Sequence, residues 1–302
     1  MTDHKKTVII LAGPTAVGKT AVAINLARHF KTEIISADSR QCYQELNIGV
    51  ARPSVEELEA VPHHFIASHS IQEELNAAWF EQYALAKARE LFQQYPVLVM
   101  TGGTGLYIKA FCEGLDAIPA IPPGIREKIM NGYAAHGIEW LQAEIREKDP
   151  AFFNQGEIMN PQRVMRALEV MEATGNSILA FRKGNKTERD FNIIRIGLDL
   201  PRETLYSHIN TRTGTMIRQG LLEETEGLLP FRHLNALQTV GYKELFDYFD
   251  QLISRERAIE LIRQHTRQYA KRQLTWFRKE KDFKWFSPLM EQDMITYLEN
   301  QL

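Results

Sequence analysis

A chain of 302 residues with 44% hydrophobic and 25% charged positions is long enough for one large domain, or for one domain carrying a sizeable insertion. Its 36 Lys and Arg against 38 Asp and Glu leave a net charge of −2, which argues against a globally basic nucleic-acid binder. Eighteen Gly and 12 Pro are too few for a collagenous or low-complexity chain, two Cys cannot build a disulfide framework, and no apolar run has the length of a membrane span. The start MTDHKKT lacks the pattern of a signal peptide, so a reducing cytoplasm is the expected compartment.

In chain order, the β-branched run 7–12 (TVIILA) ends at Gly13. Ala21, Ile24, Leu26, Ala27 and Phe30 follow it at roughly helical spacing. A second short run, 33–37, ends at Asp38; residues 76–94 read as a helix; a third run, 97–100, ends at Thr101-Gly102-Gly103. Short apolar runs alternating with helices predict a parallel sheet covered on both faces. The rhythm changes after Gly114. Residues 117–124 (AIPAIPPG) hold three prolines and read as a hinge, and from 125 to about 189 the pattern is helical with no strand. One helix there is sharply punctuated by Asn160 as N-cap, Pro161 in the first turn and Gly175-Asn176 at the close. Residues 191–200 return as a strand, and 255–281 form a long amphipathic helix. The expected organisation is an α/β core begun by 1–115, a helical insertion at 116–190, and core completion with a basic helical region over 191–302.

The strongest local signal is Gly13-Pro14-Thr15-Ala16-Val17-Gly18-Lys19-Thr20, a G-x-x-x-x-G-K-[ST] phosphate loop between a strand and a helix. Its glycines let successive N–H groups turn inward at the positive end of the following helix. Lys19 brings a cation to the outer phosphate, and Thr20 offers a hydroxyl to Mg²⁺. The motif calls for a di- or triphosphate without saying which, and the core is therefore expected to be P-loop NTPase-like. Asp38, in Asp38-Ser39-Arg40-Gln41, lies where parallel sheets build their sites, at the C-terminal end of a strand. A Mg²⁺ ligand or a cap on the next helix is the alternative for it. Thr101-Gly102-Gly103-Thr104-Gly105 is a second glycine-rich loop, permitting close approach to something or serving as a plain strand-to-helix turn.

Charge is distributed unevenly. Residues 255–284 hold ten Lys and Arg against four Asp and Glu, a net of +6, which leaves −8 for the rest. Arg263, Arg267 and Lys271 are four apart and share a helix face, with Trp276, Phe277 and Trp285 interleaved. Such a face serves either solvation or phosphate-backbone contact. Arg163 and Arg166 make a smaller basic face, opposite Val164, Leu168 and Met171. His63 and His64 have no supporting metal-ligand spacing and read as packing or hydrogen-bonding groups.

Taken together, GPTAVGKT (13–20), DSRQCY (38–43), PHH (62–64), TGGTGLY (101–107), NPQRVMRALEV (160–170), VGYKE (240–244) and TRQYAKRQLTWFR (266–278) resemble the bacterial tRNA dimethylallyltransferase family over nearly the whole chain. The resemblance implies transfer of a dimethylallyl group from dimethylallyl pyrophosphate to N6 of the adenine immediately 3′ of the anticodon, with Mg²⁺. It implies Asp38 as general base, with Lys19, Thr20 and Arg212 on the pyrophosphate. Asp38, Ser39, Arg40, Gln41 and Thr104 would hold the flipped adenine and its neighbours. Arg126, Gln162, Arg163, Val164, Met165 and Arg166 would contact the tRNA anticodon stem-loop, and Arg263, Arg267 and Lys271 fit the same partner. No membrane association is expected, and a monomer is. The chain departs from the family pattern at His208, at Ala67 and in a short segment before 240–244. Three rivals remain at this level: a small-molecule P-loop kinase, an isopentenyltransferase acting on free adenine nucleotides, and an RNA-binding protein with a vestigial loop.

Overall fold

In the computed structural model, which describes residues 6–184 and 186–302, six strands form one all-parallel sheet. They are β1 (Thr7–Ala12), β2 (Ile34–Ser36), β3 (His63–His64), β4 (Val97–Gly102), β5 (Asn192–Leu198) and β6 (Phe283–Phe286), in the order β3-β2-β4-β1-β5-β6. Every residue of β1 and β4 is buried, which is why both read as continuous apolar runs. Side-chain alternation splits β1 between two cores. Val8, Ile10 and Ala12 enter the one that holds Phe80, Phe111 and Tyr242; Ile9 and Leu11 enter the other, with Val22, Leu26 and Ile209.

The chain divides into two compact units. The first, residues 1–112 with 188–302, contains the whole sheet; the second spans 113–187. The second unit is helical, as its periodicity predicts, with helices Pro123–Lys148, Pro150–Gln155, Pro161–Thr174 and Ile178–Phe181 around Leu141, Ile145, Phe152, Val164 and Leu168. Asn160 caps the third of them by accepting the Arg163 N–H, and Gly175 ends it in the left-handed conformation.

Two strands escape a reading of the sequence. β3 is a two-residue edge strand, and β6 lies inside the charge-rich tail, pairing Phe283 to Phe286 with Arg195 to Leu198. The long basic helix accordingly stops at Arg278, short of 281. The interleaved aromatics are structural: Phe277 is buried, Trp276 packs on Gly105 and Trp285 packs on Gly197. His63 and His64 are held by hydrogen bonds to the Val61 carbonyl (2.7 Å) and the Glu33 carboxylate (2.6 Å).

Candidate active site

The C-terminal ends of β1, β2, β3 and β4 open onto one cavity of about 390 Å³. Thr15, Ala16, Gly18, Lys19 and Thr20 line it from the loop after β1; Ser36 and Asp38 from β2; His63 and Ile66 from β3; Thr101 and Gly102 from β4. Two helices supply the remaining functional wall. Arg202–Arg218 brings His208 and Arg212, one turn apart, and Arg255–Arg278 brings Tyr269 and Gln273.

The loop 13–20 takes its curl from backbone that other residues adopt with strain. Gly18 has φ +99° and forms the N-cap of the Lys19–His29 helix, and Ala16 also has a positive φ, +66°. Gly13 lacks room for a side chain, since a Cβ would lie 2.8 Å from the Leu198 carbonyl oxygen. Lys19 Nζ donates to the carbonyls of Gly13 (3.1 Å) and Pro14 (2.8 Å). Arg212 Nη2 donates to Thr15 Oγ1 at 2.7 Å, and His208 Nδ1 lies 3.3 Å from the Ala16 carbonyl. Lys19 and Arg212 thus bracket the loop from two sides. Burial lowers the Lys19 pKa to about 8, with Asp38 opposing the shift and Arg212 adding to it. Burial lowers that of Arg212 to about 10, again against Asp38. Both cations are therefore partly desolvated, which strengthens their pull on an anion entering between them.

Asp38 sits across the cavity. Its Oδ1 accepts the N–H groups of Arg40 (2.9 Å) and Gln41 (3.3 Å), a turn built from its own carboxylate. Among the described residues no protein donor occupies Oδ2, so one oxygen is anchored and the other is available. Ser39 N–H donates to Thr104 Oγ1 (3.0 Å), which joins the loops after β2 and β4. Gln41 donates its side-chain amide to the carbonyls of Val50 (3.2 Å) and Ala51 (2.8 Å), which fixes part of the cavity wall. Tyr269 also faces this region; burial and the charge of Asp38 push its hydroxyl up to about 12.

The second glycine-rich loop has its explanation here. A Cβ on Gly102 would lie 2.2 Å from the Ala37 carbonyl, one on Gly103 2.2 Å from Gln273 Nε2, and one on Gly105 2.2 Å from Trp276. The close approach is to the protein's own Arg255–Arg278 helix and to the end of β2. Gln273 is a residue that sequence reasoning missed as functional; a glutamine at a core position of an amphipathic helix was the available signal.

In the second unit the expected RNA contacts divide. Gln162, Arg163 and Arg126 are exposed and Arg166 is half-buried. Arg163 pairs with Glu157, and Arg166 (3.0 Å) and Arg126 (4.0 Å) share Glu169. Val164 and Met165 are a correction. Both are buried in the core of this unit, Val164 completely, and present no side chain to a ligand. On the basic helix, Arg263 (3.8 Å) and Arg267 (3.3 Å) both reach Glu260, and Arg267 also donates to Asn210 at 2.9 Å. Lys271 is exposed.

A phosphate loop after β1, with a carboxylate after β2, one strand removed from it in an all-parallel sheet, defines a P-loop NTPase-like α/β core. The chain belongs to the IPP transferase family, whose model matches residues 41–280. It is 45% identical to the tRNA dimethylallyltransferase of Cytophaga hutchinsonii over 100% of this chain and 99% of that one. It is 47% identical to the enzyme of the same name from Christiangramia forsetii, over 97% and 98% of the two chains. The crystal structure of the full-length tRNA isopentenylpyrophosphate transferase of Bacillus halodurans superposes with a TM-score of 0.72 at 32% identity, covering 98% of this chain and 96% of that one.

Proposed function

We propose that this protein transfers the dimethylallyl group of dimethylallyl pyrophosphate to N6 of the adenine immediately 3′ of the anticodon of tRNAs. The observation that carries the reading is the opposition of two chemistries across one cavity: a partly desolvated cation pair, Lys19 on the phosphate loop and Arg212 beside it, and Asp38 with one free carboxylate oxygen. The allylic C–O bond breaks and its electron pair leaves with pyrophosphate. Loop N–H groups, Lys19 and Arg212 stabilise the charge that grows there. The N6 lone pair forms the new C–N bond, and Asp38 Oδ2 takes the N6 proton. An exocyclic adenine amine is a weak nucleophile, so a positioned proton acceptor contributes directly to rate.

The adenine must leave its stack to reach this cavity, at a cost of about a few kcal/mol recovered by contacts to the flipped base. Ser39, Arg40 and Thr104 stand beside Asp38 to make such contacts; the Gln41 amide is already engaged in the wall. Arg126, Gln162, Arg163 and Arg166 offer the second unit's polar groups to the anticodon stem-loop, and Lys271 offers an exposed cation on the basic helix. No helix among the described residues is long and apolar enough to cross a membrane.

Mg²⁺ fits the donor set. Thr20 and Ser36 supply hydroxyl oxygen atoms to the cavity, and hard oxygen ligands completed by phosphate oxygens and water are what this ion takes. Among the described residues no cluster of three or more His, Cys, Asp or Glu makes a separate metal site. Bound there, Mg²⁺ would neutralise pyrophosphate charge.

The test is transfer of label from dimethylallyl pyrophosphate to an unmodified anticodon stem-loop, with AMP as competing acceptor and ATP as alternative donor. Transfer to RNA is expected. Transfer to AMP alone would reassign the acceptor, and phosphorylation by ATP would reassign the reaction. Asp38→Ala should lower kcat by about 10²- to 10⁴-fold while RNA affinity holds. Loss of affinity with unchanged kcat would remove Asp38 from the chemistry.

A further inference from the structure

Gln273 projects from the Arg255–Arg278 helix into the space between the two glycine-rich loops, and it is 6% exposed. Its Oε1 accepts the Thr15 N–H at 2.8 Å, and its Nε2 donates to the Gly103 carbonyl at 2.9 Å. An N–H can only donate and a carbonyl can only accept, so the partners themselves fix the orientation of the amide. Each end of this bridge leads to a working group. Thr15 holds Arg212 through its hydroxyl. Gly103 lies between Gly102, which packs against the Ala37 carbonyl, and Thr104, whose N–H donates to that same carbonyl at 3.2 Å. Ala37 immediately precedes Asp38. A continuous series of short contacts therefore runs from the cation pair on the leaving group to the proton acceptor, and Gln273 closes its middle.

We infer that Gln273 is a positioning residue for the transfer reaction, holding the phosphate loop and the Asp38 strand end at the separation the reacting atoms require. The inference rests on the function proposed above. It assigns Gln273 no contact with either substrate. A misplacement of about 1 Å costs on the order of 100-fold in a reaction governed by approach geometry. Loss of the bridge should therefore fall on kcat and spare the two binding terms.

Gln273→Leu should lower kcat by about 10- to 100-fold, with KM for RNA and for the pyrophosphate donor changed less than about threefold. Gly103→Ala, whose Cβ would displace Nε2, should reproduce that loss, and the double variant should be little worse than either single one. Gln273→Glu separates positioning from mere filling of space. Its ionised carboxylate still accepts from Thr15 but opposes the Gly103 carbonyl; its protonated form donates to Gly103 and restores the bridge. Lys19 and Arg212, with Arg40 and Arg272 beside the neighbouring Tyr269, favour the ionised form at this position, whereas burial and the charge of Asp38 favour the protonated one. The kcat of Gln273→Glu relative to unsubstituted protein should rise as pH falls from about 8.5 to about 6, while that of Gln273→Leu stays level. Wild-type kcat in Gln273→Leu, or a Gln273→Glu ratio flat with pH, would overturn the inference alone. Unsubstituted protein that transfers nothing to RNA or AMP would overturn the functional reading and this inference with it.

Discussion

The loops 13–20 and 101–105 look alike in sequence and stand on neighbouring strands, yet their glycines answer different demands. Gly18 is a glycine because its backbone lies at φ +99°; the nearest atom to a Cβ there is 3.7 Å away on Pro288, so space is not the constraint. Gly102, Gly103 and Gly105 are absent from the positive-φ residues, and each would drive a Cβ to within 2.2 Å of a neighbour. Apart from Gly13, which lacks room beside Leu198, the first loop spends its freedom on conformation, turning N–H groups toward a ligand. The second spends its missing side chains on contact, letting the Arg255–Arg278 helix and the end of β2 close down on it. A ligand-binding loop and a packed loop can therefore share a composition, and what separates them is φ in one case and neighbours in the other.

The largest expected effect falls on the ligand side of that contrast. Lys19→Met should lower transfer by about 10²- to 10³-fold, because it removes a desolvated cation from the point where leaving-group charge develops. Steady-state rates with labelled donor measure this, and an intact rate would mean that the loop holds no leaving group. On the packed side, Gly105→Ala should cost about 1–3 kcal/mol through overpacking against Trp276, seen as a lowered Tm. Adding Trp276→Leu should recover part of that loss, since the overlap disappears with the ring. Gly18→Ala should cost only about 1 kcal/mol of stability, from backbone strain in open space, with a weaker grip on pyrophosphate as its main consequence. A Gly18→Ala protein less stable than Gly105→Ala would collapse the distinction between the two loops.

How much of this was legible depended on the range of the forces involved. The phosphate loop, β1 and the Asn160-capped helix are written in adjacent residues, because φ preference, burial of a strand and capping act locally. β6 was hidden because four residues, one a lysine, become a strand only by pairing with β5 some ninety positions earlier. Gln273 was missed for the same reason: its partner Thr15 is 258 residues away. Val164 and Met165 fail for a geometric reason. Five consecutive helical residues span four steps of roughly 100°, about 400° in all, so a contiguous RNA-contacting segment 162–166 must include core-facing positions. The exposed Gln162 and Arg163 belong to one side of the Pro161–Thr174 helix, and the buried pair to the other.

The smallest effect sharpens the contrast most, because it separates function from stability at a single residue. Lys19 carries a pKa near 8 in the folded protein against 10.5 when unfolded, chiefly through burial of its charge. Below pH 8 both states are protonated, and the folded state alone bears the desolvated cation, so the full cost is present there. Between pH 8 and 10.5 the unfolded chain binds more protons than the folded one, and stability gained from that difference rises with pH until the cost is gone. A shift of this size corresponds to about 3 kcal/mol at most; the two hydrogen bonds to Gly13 and Pro14 offset about half of it. Lys19→Met should accordingly unfold at higher denaturant concentration than the unsubstituted protein at pH 7, by about 1–2 kcal/mol, with the gap narrowing toward pH 9.5. A packing glycine shows no such trade, since removing it only costs stability. If Lys19→Met proves less stable at pH 7, the lysine is a structural strut of its loop, and the phosphate loop would then be held together by the same kind of contact as the packed one.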